Sequence, residues 1–455
     1  VEIGPLNATF FFFLRFIRLK EGQIVMKHDL NRITFLILIV FSLLLGGCGL
    51  DFNTQPEDHE PSAPSGQVAD LMEGVSAHAL TVEADLLGSG RTAAADAAVR
   101  LLAGLTQDNE ENVMISPLSL LTALGMTLNG AQGETRAEME RALGFTCQQL
   151  NDYLYAYRLS LVNDDGASLQ SANSIWLKQD PDLTVSPDFL QTVADYYAAD
   201  VRSASFDDGT VKQINQWVSD HTHGMIPSIL DKIDDDARFY LINAVAFEAK
   251  WAEPYRRDEE SEAVFHGSHG DQTVTMMAGE ERVYLADDDA VGFVKDYRGG
   301  NYRFAVLLPA EGVDVRDYAA ALTGERLISI LDHSISAHVV TRMPKFSAST
   351  SVSLKDTLQQ LGIEQLFSPE RCDLSALGSL NGGRLYVSDV LHKTTITVDE
   401  AGTKAGAATV VEGMGTTAVQ ETFIVTLDRP FVYMILDAQT SLPVFLGILE
   451  NVVPD

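Results

Sequence analysis

Apolar positions along the chain fall into runs of two periods. Residues 240–251 read YLINAVAFEAKW, almost wholly apolar, which predicts a strand covered on both faces and therefore central in its sheet. Residues 304–309 (FAVLLP), 171–177 (SANSIWL), 423–436 (FIVTLDRPFVYMIL) and 443–449 (PVFLGIL) also read as strands, and 385–397 (LYVSDVLHKTTIT) alternates. The helical period appears in residues 93–105 (AAADAAVRLLAGL), in 118–128 behind the entry Ser116-Pro117, in 134–143 after the break at Gly130 to Gly133, around Ile214 and Trp217, and in 354–361. Helices and strands mix without a repeating β-α unit, so the expected class is α+β.

One stretch fits neither period cleanly. Residues 398–417 read VDEAGTKAGAATVVEGMGTT, with no large apolar side chain between Glu400 and Val410. By composition this is a surface loop. From Thr403 to Val411, however, it has no Pro, Asn or Asp, the residues that shape turns. Taken two at a time, one face carries Thr403, Ala405, Ala407, Thr409 and Val411; the other carries Lys404, Gly406, Ala408, Val410 and Glu412. The first face is small and uncharged, and both charges lie on the second. A loop by composition that is also a strand by alternation implies a segment with two states.

Charge narrows the partners. With 32 basic and 64 acidic residues the chain carries −32, which argues against nucleic acid, heparin-like polyanions and anionic lipid as partners of the folded domain. The 46% hydrophobic content supports a substantial core, and three cysteines are too few for a disulfide scaffold. Pairing of Cys147 with Cys372 is left open. Near the start, Lys27, His28 and Arg32 precede an apolar run at 33–45 and then Leu45-Gly46-Gly47-Cys48. This has the layout of an export signal whose apolar run is short for a membrane span. The expected division is an upstream extension at 1–25, a signal peptide at 26–47, an acidic, Pro- and Gly-containing tether at 48–85, and one domain at 86–455. The Leu-Gly-Gly-Cys ending resembles a bacterial lipobox, which makes Cys48 the expected lipidation site and the outer face of a bacterial membrane, or the extracellular medium, the expected location.

No catalytic motif stands out. There is no G-x-S-x-G elbow, H-E-x-x-H, C-x-x-C or Walker loop. His221 and His223 would point to different faces of a helix, which disfavours a metal pair. The runs Asp234 to Asp236 and Asp287 to Asp289 read as solvated turns. No enzyme activity, metal or cofactor is expected.

The order of motifs carries a resemblance. Residues 112–145 (NVMISPLSLLTALGMTLNGAQGETRAEMERALGF), the strand with Trp176, the helix with Trp217, the central strand through Asn243, Arg342-Met-Pro-Lys345-Phe, Asp373-Leu-Ser-Ala-Leu and Arg429-Pro-Phe431 follow one another as in serpins. Glu400, Gly402, Thr403, Ala405, Gly406, Ala407, Ala408 and Thr409 look like the hinge of a serpin reactive-centre loop, with Gly406 where Ala is more usual. The resemblance spans about residues 86–455.

It implies a fold with a large central sheet A, sheets B and C, eight to nine helices and a reactive-centre loop at about 400–423. It implies a monomeric suicide-substrate inhibitor of serine, or cysteine, proteases. The protease attacks the loop, and the cut hinge inserts into sheet A while the acyl-enzyme is dragged along. The expected scissile bond is Thr416-Thr417, with Met414 and Val419 as alternatives; none is basic, which points to elastase-like or subtilisin-like targets. Ser116, Ser119, Asn243 and His392 match the cluster beneath the parting strands, and Trp251, Lys345 and Glu400 match the region where insertion begins. A non-inhibitory binding or structural protein on the same fold is the alternative.

Overall fold

The computed structural model describes residues 68–81, 86–107, 111–164, 166–403 and 421–453, all within one compact unit. Its centre is the strand Phe239–Lys250, whose first nine residues are all buried. Alternation divides them between two cores. Phe239, Leu241, Val245, Phe247 and Ala249 join the main cluster, with Leu120 and Leu124 of the helix Pro117–Gly130. Tyr240, Ile242, Ala244 and Ala246 join a smaller cluster, with Ile214, Trp217 and Val218 of the helix Asp208–His221. Helices on both faces explain why the strand reads as a continuous apolar run.

That strand lies in a seven-stranded sheet A, ordered Ala69–Asp70, Asp200–Ala204, Ala167–Lys178, Phe239–Lys250, Gly402–Thr403, Asp389–Val398, Phe346–Ser353. Sheets B and C are continuous. The 17-residue strand Gly270–Ala286 pairs with Ser261–Gly267 over its first residues, with Ile335–Pro344 from Met276 to Tyr284, and with Ala290–Asp296 at its far end. Sheet C ends in the edge strand Thr422–Thr426. Sheet B continues through Tyr302–Pro309, Phe431–Asp437 and Pro443–Leu449 to Val113–Ile115, and the last two long strands are buried at every position. Leu183–Val185 and Gly378–Leu380 make a separate pair. Nine α-helices occur among the described residues.

Two segments differ from the sequence pattern. The first described helix is Leu86–Thr106, starting earlier than its apolar period; within the added first turns Gly90 lies against the Tyr153 ring, where a Cβ would collide. Residues 68–81, inside the stretch expected to be tether, lie against the domain. Ala69–Asp70 pairs with Ser203 and Arg202, the Leu71 N–H donates to Val201 O, and Leu71 and Met72 pack on the main core. Further along, the His78 N–H donates to Asp195 Oδ1 at 2.7 Å. Residues 1–67, which hold the expected extension, signal peptide and Cys48, lie outside the described residues.

Candidate functional site

The parallel strands Phe239–Lys250 and Asp389–Val398 are hydrogen-bonded from Tyr240–Asp389 to Ala246–Thr395. Beyond that they part, and Gly402–Thr403 lies between them, antiparallel to both. Asp389–Val398 has therefore turned back on itself. Asp399 Oδ1 accepts the Ala401 and Gly402 N–H groups at 2.8 and 3.0 Å, closing the turn. Gly402 is required here by close approach: a Cβ at this position would run into the backbone of Ala249 and Lys250.

Below the split a row of polar side chains crosses the sheet. Asn173, Asn243 and His392 stand in register on three adjacent strands. The His392 Nδ1–H donates to Asn243 Oδ1, and His392 Nε2 accepts the Ser116 N–H at 3.1 Å. The Asn243 amide donates to Ser119 O at 2.9 Å and also meets Ser119 Oγ and Asn173 Oδ1. Ser119 Oγ lies 3.1 Å from Ser171 Oγ, which accepts from Asn173 Nδ2 at 2.9 Å. Asn243 and His392 are wholly buried, so each needs these partners. Burial pulls the His392 imidazole down to about 3, and a neutral ring is what Nε2 needs to accept the Ser116 N–H. The His392–Asn243 bond spans the same gap that Thr403 occupies higher up.

At the upper end the backbone of the loop after the central strand grips the hinge. The Trp251 N–H donates to Ala401 O at 3.0 Å and the Tyr255 N–H to Glu400 O at 2.9 Å. Trp251 Nε1–H donates to Asp399 O at 2.9 Å. Glu400 is nearly buried, with Lys345 Nζ at 2.6 Å from Oε2 and Arg257 Nε at 2.6 Å from Oε1. Burial alone would raise its carboxyl; the hydrogen bonds from Lys345 and Arg257 outweigh it and bring it to about 2. Lys345 is shared with Glu260 at 2.8 Å, and although burial works against its charge, the two carboxylates hold it above its ordinary value.

Thus Ser116, Ser119, Asn243 and His392 form one network, though Ser116 enters only through its backbone, and Trp251, Lys345 and Glu400 form another. Thr403 does not wait for insertion as the alternation implied. It is already buried in the sheet, paired with Ala249 and Val398. The Lys345–Glu400 pair beside it is partly buried. Sequence reasoning missed Asn173 and Ser171, although both lie in the SANSIWL run and share one face; it also missed Arg257, Asp399 and Tyr297. Ala405, Gly406, Ala407, Ala408 and Thr409, and the bait positions Met414, Thr416, Thr417 and Val419, lie outside the described residues. Cys147 and Cys372 are both buried and free. Among the described residues no group of three His, Cys, Asp or Glu could hold a metal ion.

Comparison with known proteins places this geometry. A family model described as serpin (serine protease inhibitor) matches residues 92–452. An uncharacterised serpin-like protein of Thermococcus kodakarensis is 30% identical over 92% of this chain and 99% of its own. Leukocyte elastase inhibitor A of Mus musculus is 30% identical over 74% of this chain and 92% of its own. Among solved structures, the thermophilic serpin tengpin in its native state is 40% identical, with a TM-score of 0.80 over 85% of this chain and 100% of that one. The latent state of tengpin scores 0.70, over 83% of this chain and 100% of that one, so the arrangement described above is nearer the native form.

Proposed function

The chain belongs to the serpin family, and we propose that it acts as a suicide-substrate inhibitor of serine endopeptidases of elastase-like or subtilisin-like specificity. The observation that carries this reading is the split sheet: two parallel strands parted at one end around an antiparallel Thr403. A strand continuing from Thr403 down the gap would replace one parallel ladder with two antiparallel ones. Antiparallel pairing is slightly more stable per residue, and the number of ladders doubles. The segment from Thr403 to Gly413 would span roughly 36 Å at about 3.3 Å per residue. Its inner face is small and uncharged, as passage between strands demands.

Ser116, Ser119, Asn243 and His392 would then hold the gap shut until cleavage, and Trp251, Lys345 and Glu400 would fix the point of entry. The bait is assigned to Thr416-Thr417, with Met414 and Val419 as alternatives. Small or apolar residues there suit a shallow, uncharged primary pocket. The likeness to leukocyte elastase inhibitors supports that choice. The chain itself performs no catalysis in this scheme; its partner is the protease. We further assign Cys48 as a lipidated residue of a bacterial exported protein, with the stretch up to about residue 85 as tether and its part 68–81 resting on the domain. A non-inhibitory role is the competing reading, since thyroxine-binding globulin, 26% identical with a TM-score of 0.71, shares the fold and is seen with thyroxine.

Incubation with elastase, subtilisin and trypsin separates these readings. A covalent complex with elastase or subtilisin that survives denaturation, with release of a peptide beginning near Thr417, is the expected result. Cleavage without complex, and without a rise in thermal stability, supports the non-inhibitory reading. Rapid stoichiometric inhibition of trypsin alone overturns the bait assignment.

A further inference from the structure

Tyr297 ends the strand region Ala290–Asp296 and is wholly buried. Its ring stacks on Trp251, with centroids 4.5 Å apart and planes 9° from parallel, and its backbone bridges to Trp251 as well. Phe247 packs edge-on at 5.3 Å. Two aromatic contacts and the backbone bridge hold the ring, so the hydroxyl points where the sheet opens. There it lies 2.6 Å from Thr403 Oγ1, and this is its one hydrogen bond among the described residues. Burial pushes the phenol well above its ordinary range, so it remains a neutral hydroxyl at any working pH. Neither hydroxyl is exposed, and withdrawing the hinge would leave the Tyr297 hydroxyl buried without a partner.

The contact also settles which side faces in. Thr403 shares the inner face with Ala249, opposite Tyr297. In a strand a slip of one residue exchanges the two faces. In a strand extended from Thr403 in this register, the alternation of the sequence would carry Ala405, Ala407 and Thr409 to the inner side; a slip of one would bring Lys404 against the phenol.

We propose that Tyr297 is a positioning residue for loop insertion: its hydroxyl seats Thr403 in the split before any cleavage and so fixes the register of the strand that follows. This rests on the inhibitor reading for its use, but the seating itself is testable on the uncleaved protein. A net hydrogen bond of this kind shifts an equilibrium about two- to tenfold.

The experiment is hydrogen exchange followed by mass spectrometry on the full chain, reading the amides of Trp251 and Tyr255, which donate to Ala401 and Glu400. Tyr297→Phe keeps the stack and removes the hydroxyl; Thr403→Val keeps the shape and removes its partner. Each should speed exchange at those amides about two- to tenfold, with the strand Tyr302–Pro309 unchanged, and the double variant should be no faster than either single one. With protease, both should lower the ratio of complex to cleaved product alike. Unchanged hinge exchange in Tyr297→Phe, or effects that multiply in the double variant, overturns the proposal. A parent that traps no protease while showing the coupled exchange would sink the inhibitor reading and leave the seating intact.

Discussion

Thr403→Arg tests whether insertion of this hinge is what traps a protease. In the resting state residue 403 has no exposed surface, and its neighbours on either strand are Ala249 and Val398. An unpaired guanidinium there costs several kcal/mol even after relaxation. The resting molecule can escape by withdrawing the hinge, giving up the Gly402–Lys250 and Thr403–Ala249 pairing and the Tyr297 bond. The inserted state has no such escape, because residue 403 sits at the leading end of the new strand. Insertion is therefore penalised relative to the expelled loop. A penalty of about 3 kcal/mol slows it roughly hundredfold. Deacylation is untouched, so the ratio of covalent complex to cleaved product should fall by the same factor while the cleavage rate holds. Thr403→Ser, which keeps a small hydroxyl for Tyr297, should stay within about twofold of the parent, as an exchange that preserves the hydrogen bond should. The ratio is read on denaturing gels after mixing with elastase or subtilisin. If Thr403→Arg traps protease as well as the parent does, the mechanism proposed above is wrong.

Other perturbations probe the two networks and the anchor. His392 is held neutral, at about 3 against an ordinary 6.5, so its contribution is complete above pH 6.5 and is lost as pH falls toward 3. At roughly 1.4 kcal/mol per pH unit the parent should lose about 3 kcal/mol between pH 6.5 and pH 4.3, and His392→Asn should lose much less; equal losses in denaturant melts would count against a buried neutral ring. Glu400, depressed from 4.5 to about 2, stabilises fully above pH 4.5 and fades as pH falls toward 2. Glu400→Gln should cost up to about 3 kcal/mol at neutral pH, with the parent converging on the variant near pH 2; an unchanged melting temperature at pH 7 removes its anchoring role. Cys48→Ser should release the protein from the membrane fraction, and membrane retention with no acyl mass on Cys48 in the parent would refute lipidation.

Much of the fold was legible because its signals are local. The unbroken apolar run at 240–251 announced a strand covered on both faces, and Ser116-Pro117 announced the buried helix beneath it. Asn243 and His392 stood out as polar residues in apolar runs. What could not be read was the row they make with Asn173. Its alignment depends on the register between strands far apart in sequence, and no local period encodes that. Ser116 matches that cluster by position, yet it acts through the N–H that a helix start leaves free. Tyr297 sits between Asp296 and Arg298, and alternation alone says only that it faces inward; its use comes from Trp251 across a backbone bridge. Thr403 shows the limit most clearly. The alternation identified its face correctly but carried no information on how far the strand had already entered. That distinction changes the physics of the switch. Under the proposed mechanism, with Thr403 seated, cleavage would have no first pair to form and would need only to propagate from an existing one, each step separating a parallel pair and closing two antiparallel ones. Under that mechanism a substitution at 403 acts on the resting state as well as on the inserted one, because its side chain is already buried between Ala249 and Val398.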